Sequence, residues 1–432
     1  MVALVHSSIS FATASLSLRS YNKYNALNKK RPRCKDNLGM DDNNLNKFQP
    51  LKGLKILELS RVLAGPWAAQ LLADLGGDVV KIEAPKGDET RSWGPPFNSS
   101  NNSCYFESTN RGKKSVIADF SNQEDLEMVK TLASRADVII ENFKVGGLKK
   151  FGLDYSTIKN SNPKIIYCSV TGFGQTGPYA NRPGYDFVIQ AMGGIMDLTG
   201  ETDSEPQKPG VAYADIFTGL YAVIAIQSAL IARENFSKLG TYIDMSLFDT
   251  QLAVLANQGA SFLETGISPR RMGNSHPVIV PYQKFETKDG AIIIACGNDQ
   301  QFKNLCVALD LMLHKDLRFS CNSSRVRNRN SLINILSKKI RKASKQVLLS
   351  KLEASLVPSG PINTVGEALC DKQSIHRKMV QMVEGIPLVR NPIMFDSLSI
   401  KYKHSAPKLG QHTSEIRTQL AKDKFWKKKS EI

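Results

Sequence analysis

A parallel α/β sheet followed by a smaller α+β domain is the architecture this chain predicts, on three observations. Short apolar runs alternate with helix-length segments from residue 54 onward, the pattern of βαβ units and hence of a parallel sheet. The alternation changes character near residue 265, where a hairpin signal and further helical stretches take over. The 432 residues, 41% hydrophobic and 22% charged, suffice for two cores of ordinary soluble type.

Leu54-Lys-Ile-Leu-Glu-Leu59 reads as the first strand, 66–75 as a helix and Asp78-Val-Val-Lys-Ile82 as the second strand. Further strands are predicted at 115–118, 138–140 and 164–170, with a helix over 124–134. The opening resembles half of a dinucleotide fold, but its first turn, Ser60-Arg-Val-Leu-Ala-Gly-Pro66, has one glycine where the phosphate fingerprint needs three. Gly172-Phe-Gly-Gln-Thr-Gly177 has the glycine spacing, yet Pro178 and a run of turn formers follow where a helix should receive the pyrophosphate. NAD is argued against on both grounds. Beyond these, 241–245 reads as a strand, 246–264 as a helix, and 278–296 as two strands joined through Lys288-Asp289-Gly290, a good hairpin signal. Helices are expected near 300–311 and 327–342. The organisation predicted is a leader over 1–49, a Rossmann-like large domain over 50–264, and a small α+β domain over 265–380. Residues 381–432 then return to the large domain and end in a basic tail.

The net charge of +17 suits a polyanion or a phosphate-bearing small molecule. No zinc-finger spacing, RNA-binding aromatic motif or basic recognition helix accompanies it, so nucleic acid is not the expected partner. Part of the charge sits in the first 35 residues, which hold no acid while carrying Arg19, Lys23, Lys29, Lys30, Arg31, Arg33 and Lys35 among many serines. That is transit-peptide composition, and the expected location is the mitochondrial matrix. The seven cysteines show neither Cys-x-x-Cys nor zinc-ligand spacing, which suits a reducing compartment and argues against a metal site. The run 216–232 approaches membrane-spanning length, but Thr218, Gln227 and Ser228 within it favour a core helix, so no membrane partner is expected.

Asp215 closes Gly210-Val-Ala-Tyr-Ala-Asp215 and opens that apolar run. An aspartate at a helix start has two readings. It is a preferred N-cap residue, and it is also a carboxylate that can attack an activated carbonyl without a neighbouring base, held ionised by the helix dipole. Gly-x-Ser-x-Gly, His-Glu-x-x-His and Walker signatures are absent, which removes support for serine, metalloprotease and nucleotide chemistry.

The motifs Leu63-Ala-Gly-Pro66, Gly76-Gly-Asp-Val-Val-Lys-Ile-Glu83, Gly87-Asp-Glu-Thr-Arg91, Asn110-Arg-Gly-Lys-Lys-Ser115, Glu141-Asn-Phe143, Gly172-Phe-Gly-Gln-Thr-Gly-Pro178, Arg182-Pro-Gly-Tyr-Asp186, Pro209-Gly-Val-Ala212 and Asp215 follow in one order. Together they resemble the class III CoA-transferase family from residue 50 to about 415. Trp93-Gly-Pro-Pro-Phe97, Ile279-Val-Pro-Tyr-Gln283 and Leu409-Gly-Gln-His-Thr413 look most like the mitochondrial branch that moves CoA from succinyl-CoA to glutarate.

The resemblance implies Asp215 as nucleophile, an aspartyl-CoA thioester intermediate, and coenzyme A as a substrate with no permanently bound cofactor. It places CoA contacts on Arg61, Val62, Ala64, Asn142, Phe143 and Lys150, and it implies a homodimer of interlocked subunits. A dicarboxylic acceptor needs a cation for its second carboxylate, and an arginine fork suits that task. Arg111 is the first choice, with Arg91 and Arg182 behind it. A racemase of the same fold needs two bases, and its loop reads Gly-His-Asp where this chain has Gly184-Tyr185-Asp186. A transferase using another carboxylic acid is the remaining alternative.

Overall fold

The computed structural model describes residues 49–99, 101–396 and 398–427. The predicted leader therefore lies almost wholly outside the described residues. Six strands form one sheet: β1 (Lys55–Glu58), β2 (Asp78–Glu83), β3 (Lys114–Ile117), β4 (Val138–Glu141), β5 (Ile166–Thr171) and β6 (Thr241–Ser246). Every predicted strand of the first half lies in this sheet. The order is β3-β2-β1-β4-β5-β6, and every pairing is parallel. Strand order thus reverses between β1 and β4, and open parallel sheets bind ligands outside the strand carboxyl ends at such a point.

Helices cover both faces, which is why β1, β4 and β5 are almost wholly buried rather than alternating. On one face α1 (Ala64–Asp74) packs with a long helix, Tyr213–Ala232, over Ile56, Val79, Ile140, Ile166 and Cys168. On the other, the helix Gln123–Arg135 and the C-terminal helix Thr413–Ala421 lie over Leu57, Val80, Ile139 and Tyr167. The C-terminal segment is tied to the sheet edge, where His412 N–H donates to Ser115 O (2.9 Å) and Trp426 Nε1 donates to Asp78 (2.8 Å).

A third apolar cluster, built on Phe285, Ile292, Phe302, Leu332 and Leu352, belongs to the second half. Its sheet is antiparallel, with Tyr282–Thr287 paired to Gly290–Ala295 across Lys288-Asp289, the turn expected from the sequence. The helix predicted over 246–264 is two helices, Leu247–Ala253 and Ala256–Thr265, broken where Ala256 takes φ 49°. A non-glycine residue in the left-handed region ends a regular helix.

The long helix, labelled α2 from here, continues as a wider turn to Ser237 and is long and apolar enough to cross a bilayer. One side of it, carrying Thr218, Gly219, Ala222 and Ile226, is buried against α1 and the sheet. Gly219 makes the α1 contact possible, since a Cβ there would meet Ala64 O and the Trp67 ring at 2.9 Å. Leu220, Tyr221, Ile224 and Ile231 on its other side are 40–60% exposed.

Candidate active site

The carboxyl ends of β1 and β4 stand side by side, and their two loops are clamped to each other. Arg61 N–H donates to Asn142 Oδ1 (2.9 Å) while Asn142 Nδ2 donates to Arg61 O (2.7 Å). Val62 follows at φ 70°, a conformation that disfavours a β-branched side chain. Asp88 holds it there, accepting its amide on both carboxylate oxygens at 3.2 and 3.4 Å. The chain then enters α1 at Ala64, whose start no side chain caps.

A cavity of about 190 Å³ lies outside these strand ends. Arg61, Val62, Ala64, Asn142, Phe143, Arg182 and Asp215 all line it, together with Lys144, Tyr185 and Leu247. A second cavity of about 340 Å³ adjoins it, with Arg61 and Phe143 in both walls. Lys150 is exposed on a short turn beside that second cavity, its ammonium 4.7 Å from the centroid of Phe151, which lines it.

Asp215 occupies the first turn of α2 rather than its cap, since the helix begins at Tyr213. The cap is supplied from elsewhere: Asp186 Oδ1 accepts the amides of Ala214 (2.9 Å) and Asp215 (3.2 Å). That leaves the Asp215 carboxylate to the cavity, and among the described residues no hydrogen bond engages it. Burial pushes its carboxyl up to about 7, and the negative charge of Asp186 adds to the effect. The expectation of a carboxylate held ionised at the helix start is corrected accordingly: burial and the neighbouring Asp186 favour its protonated form.

A buried ionic network borders the larger cavity, whose wall includes Lys81 and Asp88. Lys81 Nζ lies 3.1 Å from Glu58 and 3.0 Å from Asp88, and Lys113 Nζ lies 2.8 Å from the other oxygen of Glu58. All four side chains are fully buried. Burial opposes the charge on Lys81, but Glu58, Asp88 and Glu83 together hold its pKa above the usual value. Burial lowers Lys113 to about 8. Through Asp88 the network fixes the strained Val62, and through Ser60 O, which accepts from Lys81 (2.7 Å), it fixes the end of β1.

Two of the three arginines proposed for the acceptor are committed elsewhere. Arg111 is buried, forks onto Asp74 at 2.9 and 2.6 Å, donates to Val389 O (3.2 Å) and stacks on Tyr402. It lies outside the cavity that Asp215 lines, and it ties α1 to the C-terminal segment. Arg91 forks onto Glu83 with two 2.7 Å bonds and lies over Phe106, also outside that cavity. Arg182 alone of the three lines it. Sequence reasoning missed Asp186 as a site residue and missed Lys144. It also missed Tyr105, whose hydroxyl is pushed up to about 12 by burial and by the charges of Asp215 and Asp186. For Asp186 a signal existed, since it ends the motif Arg182-Pro-Gly-Tyr-Asp186.

Residues 51–413 match CoA-transferase family III. The chain is 47% identical over 387 residues to the succinate–glutarate CoA-transferase of Agrobacterium fabrum, covering 87% of this chain and 96% of that protein. It is 41% identical over 385 residues to the human succinyl-CoA:glutarate CoA-transferase, covering 88% and 87% respectively. Among solved structures, a CAIB/BAIF family protein from Brucella suis superposes with a TM-score of 0.79 at 53% identity, covering 87% of this chain and all of that one.

Proposed function

The chain belongs to CoA-transferase family III, and from that premise we propose that it moves CoA from succinyl-CoA to glutarate through a thioester on Asp215. The observation that carries the reading is the Asp215 carboxylate, free of protein partners among the described residues and facing a cavity that both switch-point loops border. Its Oδ attacks the thioester carbonyl of succinyl-CoA, the C–S bond breaks, and a mixed anhydride forms as CoA leaves as thiolate. The thiolate attacks the aspartyl carbonyl and expels succinate, leaving CoA as a thioester of Asp215. Glutarate attacks that carbonyl to give a second anhydride and thiolate. Attack of the thiolate on the glutaryl carbonyl releases glutaryl-CoA and restores the carboxylate. Each step exchanges one activated acyl group for another, so neither ATP nor a metal is required.

A carboxylate with a pKa near 7 is a stronger nucleophile than an ordinary one and is still largely ionised at slightly alkaline pH. The N-terminus of α1 faces the same cavity and suits the oxyanion that each addition creates. The larger cavity beside Arg61 and Phe143 has room for the nucleotide end of CoA, with Lys150 at its edge for a phosphate. The strand order supports reading the large domain as Rossmann-like, with the small α+β domain over 265–380. The apolar side of α2 left exposed on the single chain supports a homodimer. The first 35 residues, basic and without an acid, support import into mitochondria, which a reporter fused behind residues 1–49 would test.

Asp215→Asn and Asp215→Ala should abolish transfer while CoA still binds. Rapidly quenched wild-type enzyme should carry the mass of CoA on Asp215. Transfer surviving in Asp215→Ala within tenfold of wild type would overturn the mechanism.

A further inference from the structure

We propose that Arg182 selects a dicarboxylic acceptor, gripping the acid's distal carboxylate while the proximal one meets the activated Asp215. The inference rests on the CoA-transfer reading above. Among the described residues three cations border the cavity: Arg61, Lys144 and Arg182. Arg61 is paired with Glu89, and Lys144 follows Asn142-Phe143 on the rim assigned to CoA. Arg182 comes from a different loop, between β5 and the helix Asp186–Met192, and among the described residues no carboxylate pairs with it.

Its guanidinium is nonetheless held in place. It lies 4.5 Å from the centroid of the Tyr179 ring and 5.6 Å from that of Phe173, and its backbone amide donates to Tyr179 O (2.8 Å). Contact with ring faces orients the planar fork without consuming its N–H donors, so those remain for a ligand. The same loop leads four residues later into Asp186, the first residue of that helix, which caps α2 and so positions Asp215. One loop therefore sets both the nucleophile and a free cation. An acid with one carboxylate presents that group to Asp215 and has nothing for the cation. Once the bound thioester excludes water, a dicarboxylate with no cation would leave a desolvated charge unpaired, and the fork meets it with two charge-assisted bonds.

The test compares glutarate with valerate, in which a methyl group replaces the second carboxylate. In a double-displacement reaction the acceptor's kcat/KM is set after the donor has left, so succinyl-CoA serves both arms and donor effects cancel. In Arg182→Met the ratio of kcat/KM for glutarate to that for valerate should fall about ten- to a hundredfold. Arg182→Lys keeps the charge over both rings but loses the fork, and should lower the ratio less. An unchanged ratio, whether activity is retained or lost equally with both acids, overturns the role of Arg182 while leaving the transfer reading intact. A wild-type enzyme that moves CoA to neither acid sinks the transfer reading itself, and the role of Arg182 falls with it.

Discussion

Asp215 should make the protein less stable than an asparagine in its place would, and only where the carboxyl is ionised in the unfolded chain. Raising the group from its usual 3.8 to about 7 corresponds to about 4 kcal/mol against ionisation in place. The carboxylate faces a cavity open to solvent, so about half of this, roughly 2 kcal/mol, is the expected effect on folding. The sign follows from proton counting. Above about pH 4 the folded state keeps a proton that the unfolded chain has lost, so wild-type stability falls as pH rises and levels off once the folded-state carboxyl has ionised as well. Asparagine has no proton to lose and keeps the shape. Asp215→Asn should therefore match wild type near pH 4 and exceed it by roughly 2 kcal/mol at pH 8. Denaturant unfolding of both proteins at pH 5 and pH 8 measures the gap. A gap that is absent, reversed or the same at both pH values would refute the assignment of Asp215 as a carboxylate desolvated by the fold.

Three further outcomes follow from the geometry. For wild type, kcat/KM for succinyl-CoA should drop below about pH 7 as Asp215 takes up its proton. In Asp186→Asn an oxygen still accepts the amides of Ala214 and Asp215 while the neighbouring negative charge is gone, so this acid limb should move to lower pH; an unmoved limb would mean that burial alone raises Asp215. Arg111→Met should lower stability by about 3–5 kcal/mol, because Asp74 is left buried without its cation, with the Asn391 amide still donating to it. The glutarate-to-valerate preference of whatever folds should stay at the wild-type value, and a changed preference would restore Arg111 to the acceptor site.

The strands were legible because each is a short apolar run closed by polar or turn residues, as in Asp78-Val-Val-Lys-Ile82. Their order was not, since nothing local in β4 says that it lies beside β1 rather than β3. Asp215 could be found from its place ahead of an apolar run, but not its role at the helix start. The residue that does the capping, Asp186, is 29 positions away and reaches α2 only through the fold. Arg111 misled for a similar reason. A guanidinium next to a strand reads as available until its partner is known, and Asp74 is 37 positions upstream. Arg182 differs in that nothing distant claims it. The buried lysines were invisible in kind, because lysine is ordinarily a surface residue and only the clustering of Glu58, Lys81, Asp88 and Lys113 makes the interior tolerable to them.

That cluster also governs how this enzyme can evolve. Replacing any one of its four members leaves the other three with an unbalanced buried charge, at roughly 3–5 kcal/mol. Such a step uses up much of the 5–15 kcal/mol margin on which folded proteins exist. The set must therefore change together or not at all, and lineages drifting by single substitutions are held to it. The exposed rim that carries Arg182 and Tyr185 is under no such constraint. New acceptor preferences should accumulate there first, on top of a floor that selection cannot easily revise.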